Sequence, residues 1–259
     1  MRHLPLLFLL LAGCAATASN PSFPLTSAQA HQAIQQMRAD PHRLSRPVLL
    51  IGGFLDPDIA PTIYRSFFAS VTIDAKLIPV SIGFCNSFAD CRRKVIAAVD
   101  SACPSTDPNW TTEVDVVGAS LGGLVARFAA APSPDPAHPR RLRIARLFTI
   151  SSPQAGSALA ESFAITDFHR EIRPGSAFLK TLAAEDADAS YILYPYVLLN
   201  DTIIDDRYAA PPGTTPFWLP NDTIRPSHFA AMVDERILAD IARRLRGEQP
   251  FSRFPPAPL

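Results

Sequence analysis

Cysteine is scarce, neither sign of charge is in surplus, and no apolar run is long enough to cross a bilayer as a mature helix. The 259 residues carry 4 cysteines, with 24 basic side chains balanced by 24 acidic ones. A net charge of zero offers no basic face to nucleic acid and no acidic tail to a cationic partner. No His/Cys spacing matches a zinc site, so no metal and no cofactor is expected. No repeat recurs along the chain. The N-terminal apolar run, Leu4 to Leu11 with Pro5 inside it, is too short for a membrane span. With Arg2 ahead of it, the run reads as a cleaved export signal.

What is present suits one folded domain. Hydrophobic residues make up 47% of the chain, and the length allows a well-buried core. The 26 prolines concentrate near 132–139, 211–220 and 250–258, which mark loops and a tail. Apolar runs ended by turn residues predict strands at 46–54, 76–82, 114–118, 143–151 and 194–199. Helical spacing predicts helices at 27–38, 61–70, 88–101, 121–131 and 237–245, with mixed helical character over 155–190. Strands alternating with helices imply an α/β fold around a mostly parallel sheet with right-handed crossovers. The expected layout is a signal peptide at 1–13, a linker at 14–45, a domain at 46–247 and a Pro-rich tail at 248–259. Within the domain, 155–190 is a short helical insertion suited to a lid.

The signal run ends in Leu11-Ala12-Gly13-Cys14, which resembles a bacterial lipobox. That resemblance implies lipidation at Cys14 and a membrane anchor, and Ala15 in place of Asp leans towards the periplasmic face of the outer membrane. Export places the other cysteines in an oxidising compartment. Cys85, Cys91 and Cys103 allow three pairings. Cys85–Cys91 closes the shortest loop and is the preferred disulfide, with free buried thiols the alternative.

Gly118-Ala119-Ser120-Leu121-Gly122 is a G-x-S-x-G sequence that follows a strand and opens a helix. That context suits a nucleophile elbow, a strained turn lifting a serine hydroxyl above the sheet's carboxyl edge. The helix N-terminus beneath it favours developing negative charge. The alternative is a Gly-rich turn that binds phosphate or only packs. A serine nucleophile needs a base for its proton. Of the histidines, only His138, His169 and His228 follow Ser120. An oxyanion hole needs the backbone N–H of the residue after the nucleophile, here Leu121.

Residues 114–127 resemble the elbow block of lipase-type α/β-hydrolases, including bacterial triacylglycerol lipases and GPI-inositol-deacylase-like lipases. Phe148 to Ser157 is similar to their next strand with its S-P-H-x-G-S turn, and Arg173 to Leu179 to their P-G-S-x-F-L segment. The resemblance covers about residues 46–245. It implies an α/β-hydrolase fold and a serine hydrolase acting on carboxylic, chiefly lipid, esters. It implies His228 as base, Phe54 as the second oxyanion donor and Asp201 as triad acid, since Asp201-Thr202-Ile203-Ile204 is similar to the family's D-x-I-V. The plainer reading of Asp201 is an Asx turn. Asp205 and Asp206 are the competing acids, with Arg207 beside them as an ion-pair partner. Three departures, Gly52, Ala119 and Gln154, stand where relatives carry His and bear on substrate preference. Other functions open to the same fold are thioesterase, acyltransferase, or a non-catalytic lipoprotein that binds lipid or protein.

Overall fold

The computed structural model describes residues 20–162, 167–185, 189–221 and 223–253. Residues 1–19, where the signal peptide and Cys14 lipidation are expected, and residues 254–259 lie outside the described residues. In chain order the elements are α1 (Ser27–Ala39), β1 (His42–Arg43), β2 (Val48–Ile51), α2 (Ile59–Val71), β3 (Thr72–Ile73), β4 (Leu77–Val80), α3 (Phe88–Ala102), β5 (Val114–Ala119), α4 (Leu121–Ala130) and β6 (Ile144–Ile150). They continue with α5 (Leu159–Ser162), α6 (Asp167–Glu171), α7 (Ala177–Glu185), β7 (Ile192–Leu198), β8 (Phe217–Leu219), α8 (Ser227–Ala231) and α9 (Glu235–Leu245).

Strands β4-β2-β5-β6-β7-β8 form one parallel sheet in that order. Successive side chains of a strand point to opposite faces, and β2 shows the consequence. Val48 and Leu50 pack with residues of α1, α2 and α9 on one side. Leu49 and Ile51 pack with residues of α3, α4 and α7 on the other. A strand covered on both faces has no polar position to spare, which is why β2 reads as an unbroken apolar run. The one carboxylate within β5, Asp115, is buried and hydrogen-bonded by Arg146, its register partner on β6. A buried charge is tolerated only when paired in this way.

The chain leaves β2 to one side of the sheet to form β4, then returns across β2 to form β5 and everything after it. Ligands of open α/β sheets bind outside the carboxyl ends of the strands at such a reversal. Here it sets the loop after β2 against the elbow after β5.

The structure corrects three expectations. Residues 20–45 are not a linker: Phe23, Leu25, Ala30, Ile34 and Met37 are buried in the core. Nor is 248–253 a free tail, because Ser252 is buried and Asp240 accepts hydrogen bonds from the Phe251 and Ser252 N–H groups. The Cys85–Cys91 disulfide is not formed: Cys85, Cys91 and Cys103 are free thiols. Cys91 faces the core from the first turn of α3, and burial, with a contact to Cys85 second, pushes its thiol well above the usual range. Strand β8 was not anticipated at all.

Candidate active site

The elbow forms where β5 runs into α4. Ser120 has φ 48° and ψ −123°, a conformation that costs an L-residue about 1–3 kcal/mol and persists only when its surroundings impose it. Glycines make the close packing around it possible. A Cβ on Gly118 would lie 2.7 Å from the Gly123 nitrogen, and one on Gly122 would lie 2.5 Å from the Gly52 carbonyl oxygen. The Ser120 N–H donates to the Ile150 carbonyl at 2.9 Å. The Ser152 hydroxyl donates to the Ser120 carbonyl at 2.5 Å. Sequence reasoning did not single out Ser152, whose only signal is its place at the carboxyl end of the neighbouring strand.

His228 comes to Ser120 from 108 residues further along the chain. The Ser120 hydroxyl donates to His228 Nε2 at 3.1 Å, and His228 Nδ1–H donates to Asp201 Oδ2 at 2.9 Å. A carboxylate can only accept, so this contact selects the tautomer that leaves Nε2 free to take a proton. Asp201 and His228 are 5% and 4% exposed, which leaves little water to compete for the pair. The other oxygen of Asp201 accepts from the Ile203 and Ile204 N–H groups, both at 2.9 Å. The Asx turn and the histidine contact are thus made by the same carboxylate, one oxygen each. Asn200, in the left-handed region at φ 62°, ends the strand and turns the chain so that Asp201 faces inward. Asp205 instead pairs with Arg207 at 2.7 Å, and His138 pairs with Asp135 on the Pro-rich loop.

His228 sits in the first turn of α8. The Ser227 hydroxyl pins that turn by donating to the Leu199 carbonyl at 2.8 Å, and in turn accepts from Asn221 Nδ2 at 3.0 Å. Neither residue was foreseen as a support. Gln154 accepts from Arg127 through both its side-chain and its backbone oxygen.

Leu121 is the first residue of α4, so its N–H has no acceptor within the helix. Phe54 follows the end of β2. Gly53 before it approaches the nucleophile so closely that a Cβ there would lie 3.1 Å from Ser120 Cβ. The Asp56 carboxylate holds this loop by accepting from the N–H groups of Asp58, Ile59 and Ala60 at the start of α2. The Phe54 ring packs edge-on against Phe168 at 5.7 Å and His169 at 5.6 Å, so α6 lies beside the site.

Two cavities meet at Ser120. One, of about 440 Å³, is lined by His228, Ala60, Ile63, Met232 and Val233. The other, of about 150 Å³, is lined by Leu121, Pro153, Ala160, Phe168 and Ile172. Among the described residues, no group of three or more His, Cys, Asp or Glu side chains could hold a metal ion, and no helix is long and apolar enough to cross a membrane.

The parallel sheet, the strand–elbow–helix turn and the order Ser120, Asp201, His228 define an α/β-hydrolase fold. Solved structures agree with this. The mature form of the Bacillus licheniformis lipase BlEst2 superposes with a TM-score of 0.50 at 16% identity, over 74% of this chain and 88% of that one. Its propeptide form gives a TM-score of 0.51 at 16% identity, over 74% of this chain and 49% of that one. No protein-family model matches the sequence, and no curated protein matches it. At such identity the likeness is one of fold.

Proposed function

We propose that the protein is a serine hydrolase of apolar carboxylic esters. The observation that carries the reading is the hydrogen-bonded chain Ser120–His228–Asp201 on a strained elbow, with an apolar cavity opening at the serine. Ser120 Oγ attacks the ester carbonyl carbon while its proton passes to His228 Nε2. The electron pair displaced onto the carbonyl oxygen is held by the N–H groups of Leu121 and Phe54, a contribution of roughly 3 kcal/mol per donor in related chemistry. The tetrahedral intermediate collapses, the C–O bond to the alcohol breaks, and the leaving oxygen takes the proton from His228. Water then adds to the acyl-serine, giving one proton to His228. Collapse returns that proton to Ser120 Oγ and releases the carboxylic acid. Asp201 orients the imidazole and balances its transient charge.

The two solved structures are forms of one protein, a lipase, which favours esters over other acyl compounds as substrates. We further propose export and acylation at Cys14, which would hold the site near membrane lipid. Labelling with a fluorophosphonate tests the central claim. The native protein should label and hydrolyse p-nitrophenyl esters, and Ser120→Ala should lose the label and several orders of magnitude in kcat, because triad members act as a unit. A Ser120→Ala protein that labels and turns over like the native one refutes it.

A further inference from the structure

The two cavities at Ser120 differ threefold in volume and share only part of their lining. Phe54, Ser120 and Ile203 border both; His228 borders only the larger, and Leu121 only the smaller. This asymmetry bears on the substrate once the ester-hydrolase reading above is granted.

The tetrahedral carbon carries Ser120 Oγ, the oxyanion, the leaving alkoxy oxygen and the acyl chain. The leaving oxygen must lie within hydrogen-bond reach of His228 Nε2, because that nitrogen returns the proton to it. The alcohol moiety therefore extends along the wall that contains His228. The acyl chain is the substituent directed away from that wall, past Leu121.

From this we infer that the 440 Å³ trough receives the alcohol and the 150 Å³ cavity the acyl chain, so that the enzyme acts on short-chain acyl esters of large, apolar alcohols. The smaller cavity therefore has room for a much shorter chain than the larger. One wall of the small cavity is firmly built. Phe168 is 4% exposed, and its ring packs edge-on against Phe88 at 5.2 Å. A longer acyl chain would have to displace that ring, and close-packed interiors resist such displacement. Leu159 beside the small cavity is 43% exposed, and the trough is lined by residues more exposed still. Leu55, Ile59 and Phe229 on its rim are 68%, 62% and 58% exposed, so a long alcohol can run out over an apolar lip. The same opening admits the deacylating water to His228 once the alcohol has left.

Two ester series on the full-length protein test this. The first holds p-nitrophenol and lengthens the acyl group from acetate through butanoate and hexanoate to decanoate. The second holds butanoate and lengthens the alcohol from ethanol through hexanol to dodecanol, with acid release followed by titration. The expected result is a fall of at least about tenfold in kcat/KM between butanoate and decanoate. Along the alcohol series kcat/KM should rise by up to about fourfold per methylene until the trough is filled. Ile172→Ala should shift the acyl optimum to longer chains, and Ile63→Trp should lower the dodecyl-to-ethyl preference. Decanoate turned over as well as butanoate, or the two substitutions acting on each other's series, overturns the assignment while leaving the ester-hydrolase reading in place. Absence of turnover in both series together with absence of fluorophosphonate labelling overturns that reading and this inference with it.

Discussion

Asp201 carries two hydrogen-bonding duties on one carboxylate, and the division between its oxygens makes substitutions informative. Asp201→Asn keeps the volume and an oxygen for the Ile203 and Ile204 N–H groups. It puts an amide where His228 Nδ1 needs an acceptor, which favours the wrong tautomer. We expect kcat to fall by roughly 10³–10⁴ with little change in melting temperature. Asp205→Asn weakens only the pair with Arg207 at the surface. Its activity should stay within about tenfold of the native protein, because it makes no transition-state contact. A large loss at Asp205 and a mild one at Asp201 in the same ester assay would move the acid. Gly122 provides a second test at this scale. A methyl group there meets the Gly52 carbonyl oxygen at 2.5 Å, and backbone cannot yield as a side-chain tip does. Gly122→Ala should therefore lower both the melting temperature and ester turnover.

The elements that matter most for the site are the first turn of α2 and the loop that feeds it. Asp58, the residue before the helix, makes no side-chain cap. Asp56 performs that task from two residues further back, accepting from three N–H groups. Its backbone carbonyl also accepts from the Ser81 hydroxyl at 2.7 Å, which ties the loop to the end of β4. Phe54 lies at the front of this clamped loop, so the direction of its N–H depends on Asp56. Asp56→Ala should cost about 1–2 kcal/mol of stability, the usual loss for a helix cap, measured by urea denaturation. It should also lower kcat by about tenfold to a hundredfold, since small displacements of positioned groups are that costly. If kcat is unchanged while stability falls, the loop is held by other contacts and Asp56 is a cap alone.

On the scale of the whole molecule, β7, α9 and the C-terminal segment are joined by one buried polar cluster. Asp240, fully buried, accepts from the Tyr196 hydroxyl at 2.6 Å and from Arg244 Nε at 2.9 Å. Its second oxygen accepts from the Phe251 N–H at 2.6 Å. The Arg244 guanidinium also stacks over the Tyr194 ring at 4.4 Å. The cluster lies along the strand that delivers Asp201, so its loss should reach the site. Asp240→Ala leaves the buried Arg244 without the carboxylate that balances its charge, and the expected cost is about 3–5 kcal/mol, read from denaturant midpoints. Attachment to a membrane belongs to this scale too. The native protein should incorporate palmitate and sediment with membranes, and Cys14→Ala should do neither, since several acyl chains hold a protein where a single chain binds only marginally. An unacylated native protein in the supernatant would sink the anchor proposal.

The alternation of buried strands and helices, the elbow at Ser120 and the boundaries of α1 to α4 were legible in the sequence, because each rests on local periodicity or on a short turn signal. The meeting of His228 and Asp201 with Ser120 was suggested only by likeness to lipase-type hydrolases; nothing local joins residues 120, 201 and 228. Strand β8 was missed because Phe217-Trp218-Leu219 is three residues between two prolines, and only the exposed edge of β7 makes a strand of it. Residues 20–45 read as a linker because α1 is weakly amphipathic. Its membership of the core depends on contacts with α9, some 200 residues away. The proximity of Cys85 and Cys91 along the chain suggested a bond that the tertiary structure leaves as two thiols. The division of the site into a large and a small cavity could not be read from the chain at all. The walls come from α2, α6 and α8, three segments far apart in sequence, and the space left between them is set by packing.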